Sequence, residues 1–262
     1  MTKDEEEFLE KLEVFRQESA QCAQFLYTYL TIHAVASEDR SVRRGLNEEA
    51  LVWNTILGSL QTSIFIVLGR IFDPNGKHGP DAMLKAAERL QVVFSYSSLA
   101  TRKQPTFAGD PKALADYMSS AFVPGKREFS RLQRLVSGYR TRFNSSYKEL
   151  RDRVFAHKVY ARSEKVQELF SKTNVDELER MVTFLGRLHT ALQGAFQNGS
   201  RLTLRRSRHS TQKMLVSPRG RNMIKPVQDE ITAAMKRVLD SIAIEPTIPD
   251  AQVSDGRPLE GS

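Results

Sequence analysis

Cysteine is almost absent from this chain. Cys22 is the only one among 262 residues, so no intramolecular disulfide can form and no cysteine cluster can hold a metal. Long apolar runs are missing too. The richest, Ile64 to Leu68, is far shorter than the roughly 20 residues of a membrane span, which predicts no membrane partner. Met1 to Glu10 is acidic, the opposite of a secretory or transit signal. A reducing cytoplasm is the location these features predict. Familiar cofactor motifs are absent: there is no G-x-x-x-x-G-K phosphate loop, no H-E-x-x-H and no dinucleotide glycine fingerprint. His33, His78, His157, His189 and His209 are scattered, and none sits on a helix with a carboxylate at i+3 or i+4 to form a metal clamp. Neither a metal nor an organic cofactor is expected.

What the chain does have is helical periodicity. Phe8, Leu12, Phe15, Cys22, Leu26 and Tyr29 step by three, four or seven, which predicts a long amphipathic helix over about Lys3–Ser37. Gly45 and Asn47 punctuate. Asn47 reads as the N-cap of a second helix carrying Trp53, Leu57, Leu60, Ile64, Leu68 and Ile71, which stops at Asp73-Pro74-Asn75-Gly76. A third helix is expected from Asp81, as N-cap, to about Ala100. Asp110-Pro111 opens a short one in the pattern of a cap followed by proline. Phe129, Leu132, Val136, Tyr139, Phe143, Tyr147, Leu150, Val154 and His157 form a stripe of about thirty residues, with a kink expected near Asn144-Ser145-Ser146. The last long helix, about Val175–Gln197, starts with cap and dipole signals at Asn174, Asp176 and Glu177. With no alternating stretch long enough for a sheet, the predicted fold is an all-α antiparallel bundle of four to five long helices over residues 3–198.

After Asn198-Gly199 the character changes. Residues 199–225 hold Arg201, Arg205, Arg206, Arg208, Lys213, Arg219, Arg221 and Lys225 without an acid, and these eight charges equal the net excess of +8. Basicity therefore reads as a local device of one arm. Arg205, Arg206 and Arg208 are dense enough to neutralise phosphates, and with no aromatic residue beside them any nucleic-acid contact would be backbone-directed. The alternative is a solvated loop that is merely basic. A short amphipathic helix is expected over 226–243, followed by a proline-containing, disordered tail over 244–262.

One segment could carry chemistry: Glu149-Leu150-Arg151-Asp152-Arg153-Val154-Phe155-Ala156-His157. Arg151 and His157, with five residues between them on a late helix of an all-helical chain, resemble the R-x(4 to 6)-H motif of HEPN proteins. Asp152 fits the polar residue that often follows the arginine. The Ala156-His157 pair and the segment Leu68-Gly69-Arg70-Ile71-Phe72-Asp73-Pro74 are similar to the AbiU-type branch, which is linked to abortive infection of phage-infected bacteria. The resemblance covers roughly residues 10–198. It implies metal-independent RNA cleavage, as a toxin or phage-defence effector, in a homodimer that pairs two motifs across one cleft, with an antitoxin or regulatory protein as a further partner. In that reading Arg151 holds the scissile phosphate, Asp152 orients a partner group and His157 transfers protons. Histidine titrates near neutrality and arginine grips phosphate oxygens with a planar fork, so the residue types suit the task.

In a regular helix, six residues leave Arg151 and His157 about 120° apart. Arg153, four residues before His157, lies on nearly the same face as the histidine and is a rival or auxiliary phosphate ligand. Two other readings stand beside the nuclease. One is a non-catalytic HEPN scaffold that binds RNA or protein. The other is a helical interaction protein in which His157, on its apolar stripe, is a core residue. His33 and His189 read as structural.

Overall fold

The computed structural model describes residues 1–76, 79–156, 168–169, 171, 173–204, 211–216 and 227–244. Among the described residues there is helix and no strand, so the fold is all-α. Its spine is α1, Lys3–Glu38. Thr2 starts that helix with a capping box: its hydroxyl accepts from the Glu5 N–H, and the Glu5 carboxylate accepts from the Thr2 N–H. These two bonds satisfy donors that a helix start otherwise leaves open. Of the predicted stripe, Phe8, Leu12, Phe15, Cys22 and Leu26 are fully buried, and Tyr29 is half-buried.

Two departures from the expected elements follow α1. Gly45 and Asn47 do not interrupt a helix; both lie within α2, Arg40–Glu48. Its true start is Asp39, whose carboxylate accepts from the Ser41 and Val42 N–H groups. Gly45 is there for packing, since a Cβ would run into the Ile242 carbonyl oxygen. The second departure concerns the next helix, α3, Ala50–Ile71, which follows Glu49 without a side-chain cap. Helix α3 is long and apolar enough, by length and composition, to cross a membrane, a property that the short run Ile64 to Leu68 does not reveal. In this structure its C-terminal half, from Ile64 to Ile71, enters the main core, while Leu51, Val52 and Ile56 are exposed.

The expected third helix is three pieces. Helix α4, Pro80–Arg89, is capped by Gly79 and has Asp81 in its first turn, not at the cap. A 3-10 turn, Gln91–Phe94, follows. Ser95 then caps α5, Tyr96–Lys103, by accepting from the Ser98 N–H. Asp110 caps α6, Pro111–Ser120, through the Ala113 N–H, as its Asp-Pro signal predicts. Helix α7, Lys126–Ser146, packs on α4, and α8 is a single turn, Lys148–Leu150. Asn174 caps α9, Val175–Asn198, through the Glu177 N–H. Two further helices are α10, Thr211–Val216, inside the segment read as a basic loop, and α11, Val227–Ser241.

Helices α3, α4, α9 and α11 pack along α1. The main core lies around the N-terminal two-thirds of α1, and a smaller one forms at its far end from Ile32, Val35, Val42 and Leu239, with Trp53, Leu57 and Leu60 against it. One buried ion pair locks the main core. Arg102 of α5 pairs with Glu5 of α1 at 2.5 Å, donates to the Val93 and Phe196 carbonyls at 2.9 Å, and lies 4.1 Å from the Phe196 ring centroid. Removing one partner of such a pair strands the other in a low-dielectric site.

Helix α10 is tied to α9 by the Thr211 hydroxyl, which donates to the Glu179 carboxylate at 3.4 Å. Burial and the negative charge of Asp176 push the Glu179 carboxyl up to about 7 from its ordinary 4.5. A carboxyl raised in the folded state holds its proton better there than in the unfolded chain. Its contribution to stability is complete below pH 4.5 and is lost as pH rises through 7. Glu179→Gln should therefore flatten the pH dependence of the melting temperature between those limits and raise it near neutrality. Parallel curves for the two proteins would show that Glu179 titrates normally.

Candidate active site

The motif sits where the α7 stripe breaks. The break falls at Tyr147, one residue beyond the expected Asn144-Ser145-Ser146, with φ −123° and ψ −23°. Tyr147 is fully buried, and its hydroxyl anchors the break to the start of α9. That oxygen accepts from the Asn174 N–H at 3.2 Å, and its proton faces the Asn174 carbonyl at 3.1 Å and the Glu177 carboxylate at 3.0 Å. Burial pushes the Tyr147 phenol up, so it stays a neutral donor.

Past α8 the backbone widens into a π-helical turn, Arg151–Ala156. Such i→i+5 turns are rare and recur at functional sites. The turn carries Arg151, Asp152 and Arg153 of the motif. His157 itself lies outside the described residues, as do His78, His209, Arg205, Arg206 and Arg208.

The π turn is held against α3 by aromatic rings. Phe155 stacks on Phe65 with centroids 5.0 Å apart and planes 9° apart. Phe65 is 6.1 Å from Tyr147, and Phe143 is 5.7 Å from Phe72. Beside Phe155 an open groove runs along α3, lined by Asn54, Thr55, Ser59, Gln61, Thr62 and Ser63.

Arg151 lies across α3 at Gly69. A Cβ placed on Gly69 would stand 2.6 Å from Nη1 of Arg151 and closer still to its Cδ. The missing side chain at Gly69 is thus the seat of the arginine. Asp152 holds the same guanidinium from the other side: Oδ1 accepts from Nε at 2.6 Å and ion-pairs with Nη2. Asp152 therefore orients Arg151 itself. About a quarter of the Arg151 side chain (27%) remains exposed, so the guanidinium is fixed yet reachable. Of its five N–H donors, those on Nη1 have no acceptor among the described residues. Arg153 points elsewhere. It forms an exposed i,i+4 pair with Glu149 at 3.3 Å, an interaction weak enough for a phosphate to replace.

The sequence brought Arg151 and Asp152 forward but not Gly69, Tyr147, Phe65 or Phe155 as their supports. A glycine inside an uninterrupted apolar helix was the available signal, because such a residue marks close backbone or side-chain approach. His33 packs against the Tyr29 ring, 4.5 Å between centroids, and His189 is half-buried on α9; partial desolvation of the rings lowers both imidazoles. Among the described residues no three His, Cys, Asp or Glu side chains converge on a point where a metal could sit.

The family model of the HEPN proteins of AbiU2 type matches residues 5–213. The match spans well over half of the chain and includes both segments that meet at Gly69 and Arg151. No curated protein matches the chain, and no solved structure does.

The seat predicts different effects at two glycines of one helix. Gly58 has nothing within 4 Å of a built Cβ, so Gly58→Ala should stabilise the protein by about 0.8–1 kcal/mol, the ordinary helix gain. Gly69→Ala must first push the Arg151 side chain aside, so its gain should be smaller than that of Gly58→Ala. Urea unfolding of both variants reads the difference, and equal stabilisation at the two sites would mean that Arg151 does not rest on Gly69.

Proposed function

We propose, for a chain that belongs to the AbiU2 family of HEPN proteins and so to a family related to abortive infection, that it is a metal-independent endoribonuclease acting as a phage-defence effector. The observation that carries this reading is the fixed, partly exposed guanidinium of Arg151 between Gly69 and Asp152. A guanidinium seated in advance needs no reorganisation when charge develops on a phosphate, which is how preorganised donors lower a barrier. Its Nη1 donors would bind the scissile phosphate, and Asp152 would hold the fork in place. His157 would remove the proton of the ribose 2′-OH and protonate the leaving 5′-oxygen, in turn or with a second copy. The 2′-oxygen attacks phosphorus, the P–O5′ bond breaks, and the products are a 2′,3′-cyclic phosphate and a 5′-hydroxyl. Every proton is accounted for by an imidazole, so the chemistry calls for no metal.

A homodimer fits this chemistry. Helix α3 exposes Leu51, Val52 and Ile56, and its open groove ends at Phe155 on the motif turn. A second copy docked along α3 would bury that apolar surface and bring two motifs to one cleft. An antitoxin that occupied the same groove would block RNA. Arg153, once released from Glu149, and Arg205, Arg206 and Arg208 of the arm would add phosphate contacts. A cytoplasmic location suits such an effector.

The test is cleavage of RNA with and without EDTA. The wild type should cleave in excess chelator. Arg151→Ala should lose about 10²–10³-fold, the usual cost of one transition-state donor, and His157→Ala about 10²–10⁴-fold, both with unchanged helix content. Light scattering should find the active wild type dimeric. Intact RNA with the wild type, or full activity in either variant, would remove the proposal, and a fully active monomer would remove the paired cleft.

A further inference from the structure

The charge excess was expected to reside only in the arm, but α7 is also strongly basic. It carries Lys126, Arg127, Arg131, Arg134, Arg140 and Arg142 against a single acid, Glu128. That acid is turned back into the helix start, where its carboxylate accepts from the Gly125 N–H at 2.8 Å. Arg140 is used inside the fold, paired with Asp81 of α4. The others point outward. At 100° per residue, Arg127, Arg131, Arg134 and Arg142 fall within one narrow stripe, opposite the buried face of Phe129, Leu132, Val136 and Phe143. All four are exposed, and none has an ion-pair partner among the described residues. Packing of Tyr139 on Phe184, 4.3 Å between centroids, helps fix the rotation of α7 and so holds the row outward.

A second observation joins this row to the arm. The Arg131 guanidinium donates to the carbonyl of Leu202, a fully buried residue, and the Gly199 carbonyl accepts from the Phe122 N–H at 2.7 Å. These bonds fasten the beginning of the arm beside the N-terminal half of α7, with Arg201 exposed and lying over the Phe122 ring. The two basic features of the chain therefore start from one face.

We propose that the α7 arginine row is a backbone-binding surface for RNA, an anchor outside the Arg151 site that holds the polymer by its phosphates. The proposal depends on the nuclease reading only for the choice of polymer. A row of guanidinium groups on one helix, without ion-pair partners among the described residues, neutralises phosphates and releases counterions, which makes binding salt-dependent and blind to sequence. Tyr139, the aromatic beside the row, is stacked on Phe184 and has Arg142 over its ring at 5.9 Å, so it is not a free platform for stacking bases, and the contacts are to the backbone.

The test uses a short, fluorescent 2′-O-methyl RNA, which cannot be cut through its 2′-oxygen. Its affinity for the full-length protein is titrated against salt. Arg127→Ala/Arg134→Ala/Arg142→Ala, which spares Arg131 and its bond to Leu202, should flatten the slope of log affinity against log salt by about two units on a single strand, at about 0.7 per contact. Near 0.1 M salt this is a loss on the order of 100-fold. The matching triple lysine variant should keep the slope. Equal slopes for wild type and the alanine variant would overturn the proposal, as would a wild type that binds an acidic protein through this row but no RNA. A wild type that binds with the full slope and never cuts unmodified RNA would sink the nuclease reading and leave the anchor standing.

Discussion

The candidate site depends on a side chain that is not there. Helix α3 reaches Gly69 with its backbone bare, and Arg151 from a different part of the chain lies down on it. A Cβ at this position would displace the Arg151 side chain from its present place. The rest of the local structure keeps this contact possible. Tyr147 breaks the α7 stripe and is tethered to α9, the π turn carries the motif over α3, and the Phe65–Phe155 stack fixes the distance between the two. Each support is buried or stacked, so the exposed part of Arg151 is presented by a rigid frame, as an electrostatic role requires.

Much of the fold was legible because apolar spacing is read locally. The stripes of α1, α7 and α9 mark their buried faces, and the caps at Asn174 and Asp110 mark starts. Some of the misreadings turn on a partner remote in sequence. Gly45 resembles a breaker until the Ile242 carbonyl is seen against it. The expected helix from Asp81 to Ala100 breaks because Ser95 caps a new one and Arg102 of that new helix is claimed by Glu5, nearly a hundred residues earlier. At the site, Arg151 and Asp152 were visible from spacing, whereas the π turn and the seat at Gly69 arise only when α3 and the motif turn meet.

Charge divides along similar lines. Net charge pointed to the arm because the arithmetic there has no acid to cancel it. The α7 row escaped because its charge is offset in the total by acids elsewhere, several of them in the first turns of α1. A face, not a sum, is what a phosphate meets.

The seat and the proposed chemistry make one joint claim: Gly69 matters to cleavage only through Arg151. A double-mutant cycle reads this directly, with single-turnover RNA cleavage measured for the wild type, Gly69→Ala, Arg151→Ala and the double variant. The account predicts that Gly69→Ala slows the wild type strongly and adds nothing once Arg151 is gone. Losses that multiply, with Gly69→Ala equally harmful in both backgrounds, would contradict it.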